Sequence, residues 1–168
     1  TFDAIYSGFL GSHQQVEIVI DLIESFRKEE QLVVVDPVLG DDGKIYGPLN
    51  QAMVREMQNL ITYADVITPN LTEMHLLLDK PYSEKITEEE VKTAARKLAA
   101  QGPQFVVVTS VPQADHKTAV IAFNQRDNRF WKVTVNYTPA NYPGTGDAFA
   151  SVVTGALLQG DSLPLALD

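Results

Sequence analysis

Two runs in this chain, Leu32-Val33-Val34-Val35 and Phe105-Val106-Val107-Val108, are apolar at every position and rich in β-branched residues. A strand with one wet face alternates polar and apolar residues. A strand that does not alternate is covered on both faces, as inside a parallel sheet. Parallel neighbours need long crossovers, usually helical, and the intervening segments supply them. Ser12 caps an expected helix from His13 to about Lys28, with Val16, Ile20, Ile23 and Phe26 on one face. His13 reads as a solvated surface side chain. A second amphipathic helix spans Leu49 to Tyr63, and a third starts at Asn70. A fourth is capped by Thr87 ahead of Glu88-Glu89-Glu90 and stops near Gln101, before Gly102-Pro103. Ala4–Ser7 and Val66–Thr68 read as short strands. Thr118–Phe123 and Arg129–Asn136 alternate around Arg126-Asp127-Asn128 and predict an antiparallel hairpin, on which Trp131 is a packing residue. An apolar helix, Ala148 to Leu158, follows.

This order predicts a single domain, residues 1–168, with a three-layer α/β/α architecture, a mostly parallel central sheet and helices on both faces. Asp36, Asn70 and Thr109 each follow a strand. They therefore collect on the rim where open α/β sheets bind ligands.

Charge narrows the partners. Lys and Arg number 13 against 22 Asp and Glu, a net charge of −9 with no basic stripe, which points away from nucleic acid. Nucleotides stay open as ligands, because a metal ion neutralises phosphates locally. There is no cysteine, so neither disulfides nor thiolate chemistry arise. No run reaches membrane-spanning length, and a cytoplasmic location is expected. Thr1 to Ser7 enters a strand with no lead-in, and Asp161 to Asp168 reads as a cap and the first turn of a helix. The expectation is a piece of a longer protein, incomplete at both ends.

The candidate chemistry centres on Gly144-Thr145-Gly146-Asp147, which opens the last long helix. A helix start presents unpaired N–H groups and the positive end of a dipole, and glycine lets an anion come close. Amides for a phosphate beside a carboxylate suit phosphoryl transfer to an alcohol: the carboxylate takes the hydroxyl proton while the amides hold developing charge. Ordinary helix capping by Thr145 and Asp147 is the competing reading. In the Gly/Asp/Pro-rich loop from Pro37 to Pro48, Asp41 and Asp42 join Asp36 as groups able to hold Mg²⁺ directly or through water. Turn formation explains Asp42-Gly43 equally well, and Asp36 poorly. Asn70 and Glu73 fit a capping box; they also stand where they could order a metal–phosphate group. No Gly-x-x-x-x-Gly-Lys-Ser/Thr loop is present, so any phosphate cradle is of another kind.

Four pieces in fixed order, Ser7-Gly8-Phe9-Leu10-Gly11, Asp36-Pro37-Val38-Leu39-Gly40-Asp41, Thr68-Pro69-Asn70-Leu71-Thr72-Glu73 and Gly144-Thr145-Gly146-Asp147, resemble the ribokinase-like superfamily. Within it they resemble the pyridoxal kinase family of vitamin B6 salvage. Tyr46-Gly47-Pro48 after the acidic loop adds to that likeness. The resemblance implies ATP-dependent phosphorylation of the 5′-hydroxyl of pyridoxal. It implies Asp147 as the base, also in contact with substrate, and Gly144, Thr145 and Gly146 as the anion hole, with Thr145 touching nucleotide. It implies Asp36, Asp41 and Glu73 around Mg²⁺, and Asp36, Tyr46, Asn70, Thr109 and Ser110 toward the nucleotide. Phe9 stands where the family often has Tyr and would stack near the pyridine ring. The loop from Asp41 to Pro48 would be a flap that excludes water. Expected partners are ATP, a B6 vitamer and a second copy of the chain in a homodimer, with neither nucleic acid nor membrane. The alternatives are a kinase for hydroxymethylpyrimidine or a sugar, and a non-catalytic nucleotide-binding module on the same fold.

Overall fold

The computed structural model describes residues 2–140 and 142–168. Its main sheet has six strands in the order β1 (Ala4–Ser7), β2 (Leu32–Val35), β5 (Val66–Ile67), β6 (Phe105–Gln113), β7 (Lys117–Asn124) and β8 (Arg129–Asn136). The first four pair in parallel, and β7 and β8 are added antiparallel. The two unalternating runs are neighbours of the sheet's interior, as their sequence requires. Val33, Val34 and Val35 are completely buried, and so are Val106, Val107 and Val108. Each such side chain contributes about 2 kcal/mol of apolar burial.

Four helices cover one face: α1 (His13–Phe26), α2 (Gln51–Leu60), α3 (Leu71–Leu77) and α4 (Glu88–Ala99). Their Val16, Ile23, Val54, Met57, Met74, Leu77, Val91 and Leu98 form one core with Val33, Val35, Ile67, Val106 and Ile121 of the sheet. The opposite face, Val34, Val66, Val107 and Ala122, packs against Phe149 and Leu157 of α5 (Thr145–Leu158) and Leu163 of α6 (Leu163–Ala166). Three layers with helices on both faces are present as expected, although the two helical layers are unequal.

The caps do what their residue types predict. The Ser12 hydroxyl accepts from the Gln15 N–H at 3.3 Å, and Asn50 accepts from Ala52 at 2.9 Å and Met53 at 3.3 Å. Thr87 and Glu90 form a reciprocal capping box on α4. Helix α1 stops at Phe26, short of the expected Lys28. There Arg27 turns extended, and its guanidinium donates to the Tyr63 carbonyl at 2.8 Å and to Asp65 at 2.7 Å. His13 is an exposed side chain beside Glu17 and Glu56.

Other elements also differ from the sequence reading: the helix expected from Leu49 to Tyr63 is α2 from Gln51 to Leu60, followed by a 3-10 turn over Ile61–Tyr63. The segment from Pro37 to Pro48 contains a small hairpin, β3 (Gly40–Asp41) against β4 (Lys44–Ile45), turned by Asp42 at φ 48° and Gly43 at φ 73°. Strand β6 does not end at Thr109. It continues to Gln113 past an irregularity between Val108 and Val111, where Ser110 has φ 56°. Helix α5 begins at Thr145, three residues before Ala148, because Gly144 takes the N-cap in a left-handed conformation, φ 87°.

Candidate active site

The rim formed by the C-terminal ends of β1, β2, β5 and β6 gathers most of the singled-out residues. Asp36 follows β2; its N–H donates to the Ser7 carbonyl at 2.8 Å, and its carboxylate accepts from the Thr68 hydroxyl at 2.7 Å. Only 5 % of Asp36 is exposed. Asn70 bridges to Thr109 across the ends of β5 and β6, and the Thr109 N–H donates to the Pro69 carbonyl at 2.9 Å. From above, the start of α5 descends on this rim, and Asp36 Oδ2 is 3.8 Å from where Gly146 would carry a Cβ.

At that helix start no side chain caps the first-turn N–H groups, since the N-cap is Gly144. Residues Gly144, Thr145, Gly146 and Asp147 are all exposed. The Thr145 N–H makes a long 3.4 Å bond to the Tyr142 carbonyl, so the combination is a helix start free of side-chain caps beside one carboxylate. Asp147 has a neighbour that the sequence reading missed: the Tyr6 hydroxyl donates to Asp147 Oδ1 at 3.5 Å. Burial, then the charges of Asp36 and Asp147, push the Tyr6 hydroxyl well above its ordinary range, so it stays protonated and a donor at neutral pH. The only signal for Tyr6 was its parity on β1, with Ile5 and Ser7 buried on one side of the strand and Tyr6 on the other. Phe9 follows the same strand and is half-exposed. Tyr6→Phe is expected to lower turnover about threefold, the size of one long charge-assisted hydrogen bond to an exposed group; steady-state kinetics on the purified variant check this.

Glu73 performs the capping role and more. The Asn70 side chain accepts from the Glu73 N–H at 2.9 Å, and Glu73 Oε2 accepts from the Asn70 N–H at 2.8 Å. Its other oxygen accepts from the Leu39 N–H at 3.1 Å, and the Asn70 amide donates to the Gly40 carbonyl at 2.8 Å. The capping box thus docks the acidic loop onto α3. Burial pushes the Glu73 carboxyl up to about 8, against the pull of the Asn70, Leu39 and Gly40 N–H groups. Asp36 is pushed up to about 6 by burial, which outweighs the Thr68 hydrogen bond and is reinforced by the charge of Asp147.

Among the described residues no three of His, Cys, Asp and Glu are grouped so as to hold a metal ion by themselves. Asp41 lies exposed on the hairpin, whereas Glu73 is buried with its oxygens engaged by backbone donors. Tyr46 stands over this acidic group: burial first, then the charges of Asp41, Glu73, Asp36 and Asp42, push its hydroxyl up. Beside the rim opens a cleft of ≈ 1030 Å³ whose lining includes Asp41, Thr72, Tyr82, Ser110, Lys117 and Thr145. The structure therefore brings Thr145, Ser110 and Asp41 to one cleft, with Asp147, Asp36 and Tyr6 clustered next to it. Thr109 serves the backbone bridge just behind.

A mostly parallel sheet between helical layers, with a glycine-led helix start over an acidic rim, defines the ribokinase-like fold. Within it, the chain belongs to the phosphomethylpyrimidine kinase family, whose model matches residues 1–168. The chain is 34 % identical over 173 residues to a pyridoxine/pyridoxal/pyridoxamine kinase of Bordetella avium, covering 98 % of this chain and 56 % of that protein. A Bacteroides thetaiotaomicron protein assigned to the phosphomethylpyrimidine kinases, crystallised with pyridoxal, superposes with a TM-score of 0.96 at 58 % identity, covering 99 % of this chain and 59 % of that one. Pyridoxal kinase from Leishmania donovani, in complex with ADP and pyridoxamine, superposes with a TM-score of 0.87 at 26 % identity, covering 99 % and 57 %. The chain spans about half the length of the curated relatives it matches.

Proposed function

We propose that this chain carries the catalytic centre of an ATP-dependent kinase that phosphorylates the 5′-hydroxyl of pyridoxal. The observation that carries the reading is the junction of a helix start with no side-chain cap, at Gly144 to Gly146, with the Asp147 carboxylate, beside the cleft that Thr145 lines. The pyridoxal of the Bacteroides crystal and the pyridoxamine of the Leishmania kinase support a B6 vitamer as the acceptor. The ADP of the latter, with the ADP and AMP-PCP complexes of the Staphylococcus aureus pyridoxal kinase, supports ATP as the donor, ADP being the form left after transfer.

In the step, the acceptor hydroxyl oxygen forms a bond to the γ-phosphorus while the bond from that phosphorus to the β–γ bridging oxygen breaks. The hydroxyl proton passes to Asp147, and ADP leaves with the bridging electron pair. Tyr6 holds Asp147 Oδ1, leaving the second oxygen for the proton. The amides of Gly144, Thr145 and Gly146 face charge on the transferring group. Phe9 offers its exposed ring to a planar acceptor.

The residues present fit a divalent cation. Asp36 is pushed up partly by Asp147, and among the described residues neither carboxylate is ion-paired with a Lys, Arg or His. When bound, Mg²⁺ supplies charge compensation to the polyphosphate; Asp36 would hold it, with Asp41 and Glu73 acting through water.

The test is a competition. The longest reading frame containing this chain is given ATP and Mg²⁺ with pyridoxal and hydroxymethylpyrimidine together, and products are read by mass spectrometry. Pyridoxal phosphate is expected to dominate. A phosphorylated pyrimidine would keep the mechanism and overturn the substrate, and no phosphorylated product from folded protein would overturn the kinase reading.

A further inference from the structure

The hairpin β3–β4 carries Asp41 and Asp42 to the mouth of the cleft. Its strands are two residues each. A hairpin that short has no stability of its own, so its position is set by what it touches. Its base is tied to α3 through Asn70 to the Gly40 carbonyl and Leu39 to Glu73. Its tip is held differently. The Gly43 N–H donates to the Thr72 hydroxyl at 3.0 Å, and Gly43 lies flat on the ring of Tyr82. A Cβ at Gly43 would stand 2.5 Å from Tyr82 Cδ1, so only glycine lets the hairpin tip sit this close to the ring. Tyr82 comes from the segment between α3 and α4, outside every motif of the site.

The ring itself is braced. His75 meets it edge-on, with centroids 5.7 Å apart at 72°, and His75 is buried with Nδ1 2.7 Å from the Leu71 carbonyl oxygen. Tyr82 also packs against the main core and lines the cleft beside Asp41, Asp42 and Thr72. A fixed ring under a glycine tip is a support on which the hairpin can rest or from which it can lift.

We propose that Tyr82 is the latch that holds the hairpin tip over the cleft, and that by placing Asp41 and Asp42 there it sets nucleotide affinity. The second clause rests on the kinase reading; the first does not. Tyr82 is a positioning residue, since it acts through the hairpin.

Amide hydrogen exchange on the whole chain, without ligand, tests the latch. In Tyr82→Ala the Gly43 and Tyr46 amides are expected to exchange about tenfold faster, with the amides of α4 and β6 unchanged. Tyr82→Phe keeps the ring and should match the wild type. Unchanged exchange at Gly43 and Tyr46 in Tyr82→Ala overturns the proposal. If exchange rises throughout that variant, Tyr82→Leu decides instead: it keeps an apolar side chain against the core but puts no ring under Gly43, and faster exchange confined to residues 41–46 supports the latch, whereas none overturns it. Binding of ADP with Mg²⁺, measured by calorimetry, should weaken about fivefold in Tyr82→Ala. Faster exchange with unchanged affinity overturns the second clause alone. A wild type that binds no ADP overturns the kinase reading and that clause, leaving the latch to be decided by exchange.

Discussion

Asp147→Asn is expected to lower the rate of pyridoxal phosphorylation about 10³-fold while ADP binding stays within about twofold of wild type. The substitution keeps the shape of the side chain. An Asn oxygen can still accept from the Tyr6 hydroxyl, which lies 3.5 Å from Oδ1. Asp147 is exposed in the first turn of α5, so neither core packing nor a cap is lost. What disappears is the capacity to take a proton, together with a negative charge beside Asp36. Losing that charge favours ionised Asp36, since Asp147 is one of the groups that push it up. A nucleotide site that depends on Asp36 is therefore not weakened. Single-turnover assays with the Asn variant, beside calorimetry with ADP, make the distinction. A rate within about tenfold of wild type would remove Asp147 from the role of base. A parallel loss of rate and ADP affinity would make it a binding group.

The parts of the fold that burial dictates were readable in advance. Leu32–Val35 and Phe105–Val108 could only be interior strands, and they flank β5 on either side in the parallel part of the sheet. Asn70 with Glu73 was readable as a capping box, and it is one. The sequence left open whether that pair capped a helix or served the rim. Geometry shows that capping is how α3 grips the acidic loop, through Leu39 and Gly40. The hairpin β3–β4 escaped because two-residue strands have no periodicity to detect. Asp42-Gly43 was nevertheless a hairpin signal, since both central residues of such a turn need positive φ. The extension of β6 escaped because Ser110 leaves the extended region, which breaks the alternation just where the strand continues. Tyr6 and Tyr82 escaped for a different reason: their importance lies in contacts with Asp147 and Gly43 that only the folded chain creates.

Removing the Glu73 side chain is expected to be the most destabilising single change at the rim. Glu73 is 4 % exposed, and its two oxygens accept from the Leu39 and Asn70 N–H groups. In Glu73→Ala both donors lose their acceptor inside the protein, at about 1–3 kcal/mol each, and the capping box is gone. A loss of about 2–5 kcal/mol is expected, read as a lower urea midpoint with an unchanged slope. Glu73→Gln separates shape from charge. One amide oxygen can still accept, but the NH₂ group meets a second donor, so this variant also loses stability. Its loss should depend on pH. The ordinary value of the carboxyl is 4.5, and burial raises it to about 8 in the folded chain. Between those values the folded state binds more protons than the unfolded one, so this group's contribution falls as pH rises from 4.5 to 8. Gln does not titrate, so the gap between variant and wild type should narrow over that window and be constant above it. Urea unfolding of both proteins at intervals across the window reads the gap directly. A gap that does not change would mean that the backbone donors hold Glu73 ionised throughout. The buried end of the acidic rim would then already carry full negative charge before any nucleotide arrives.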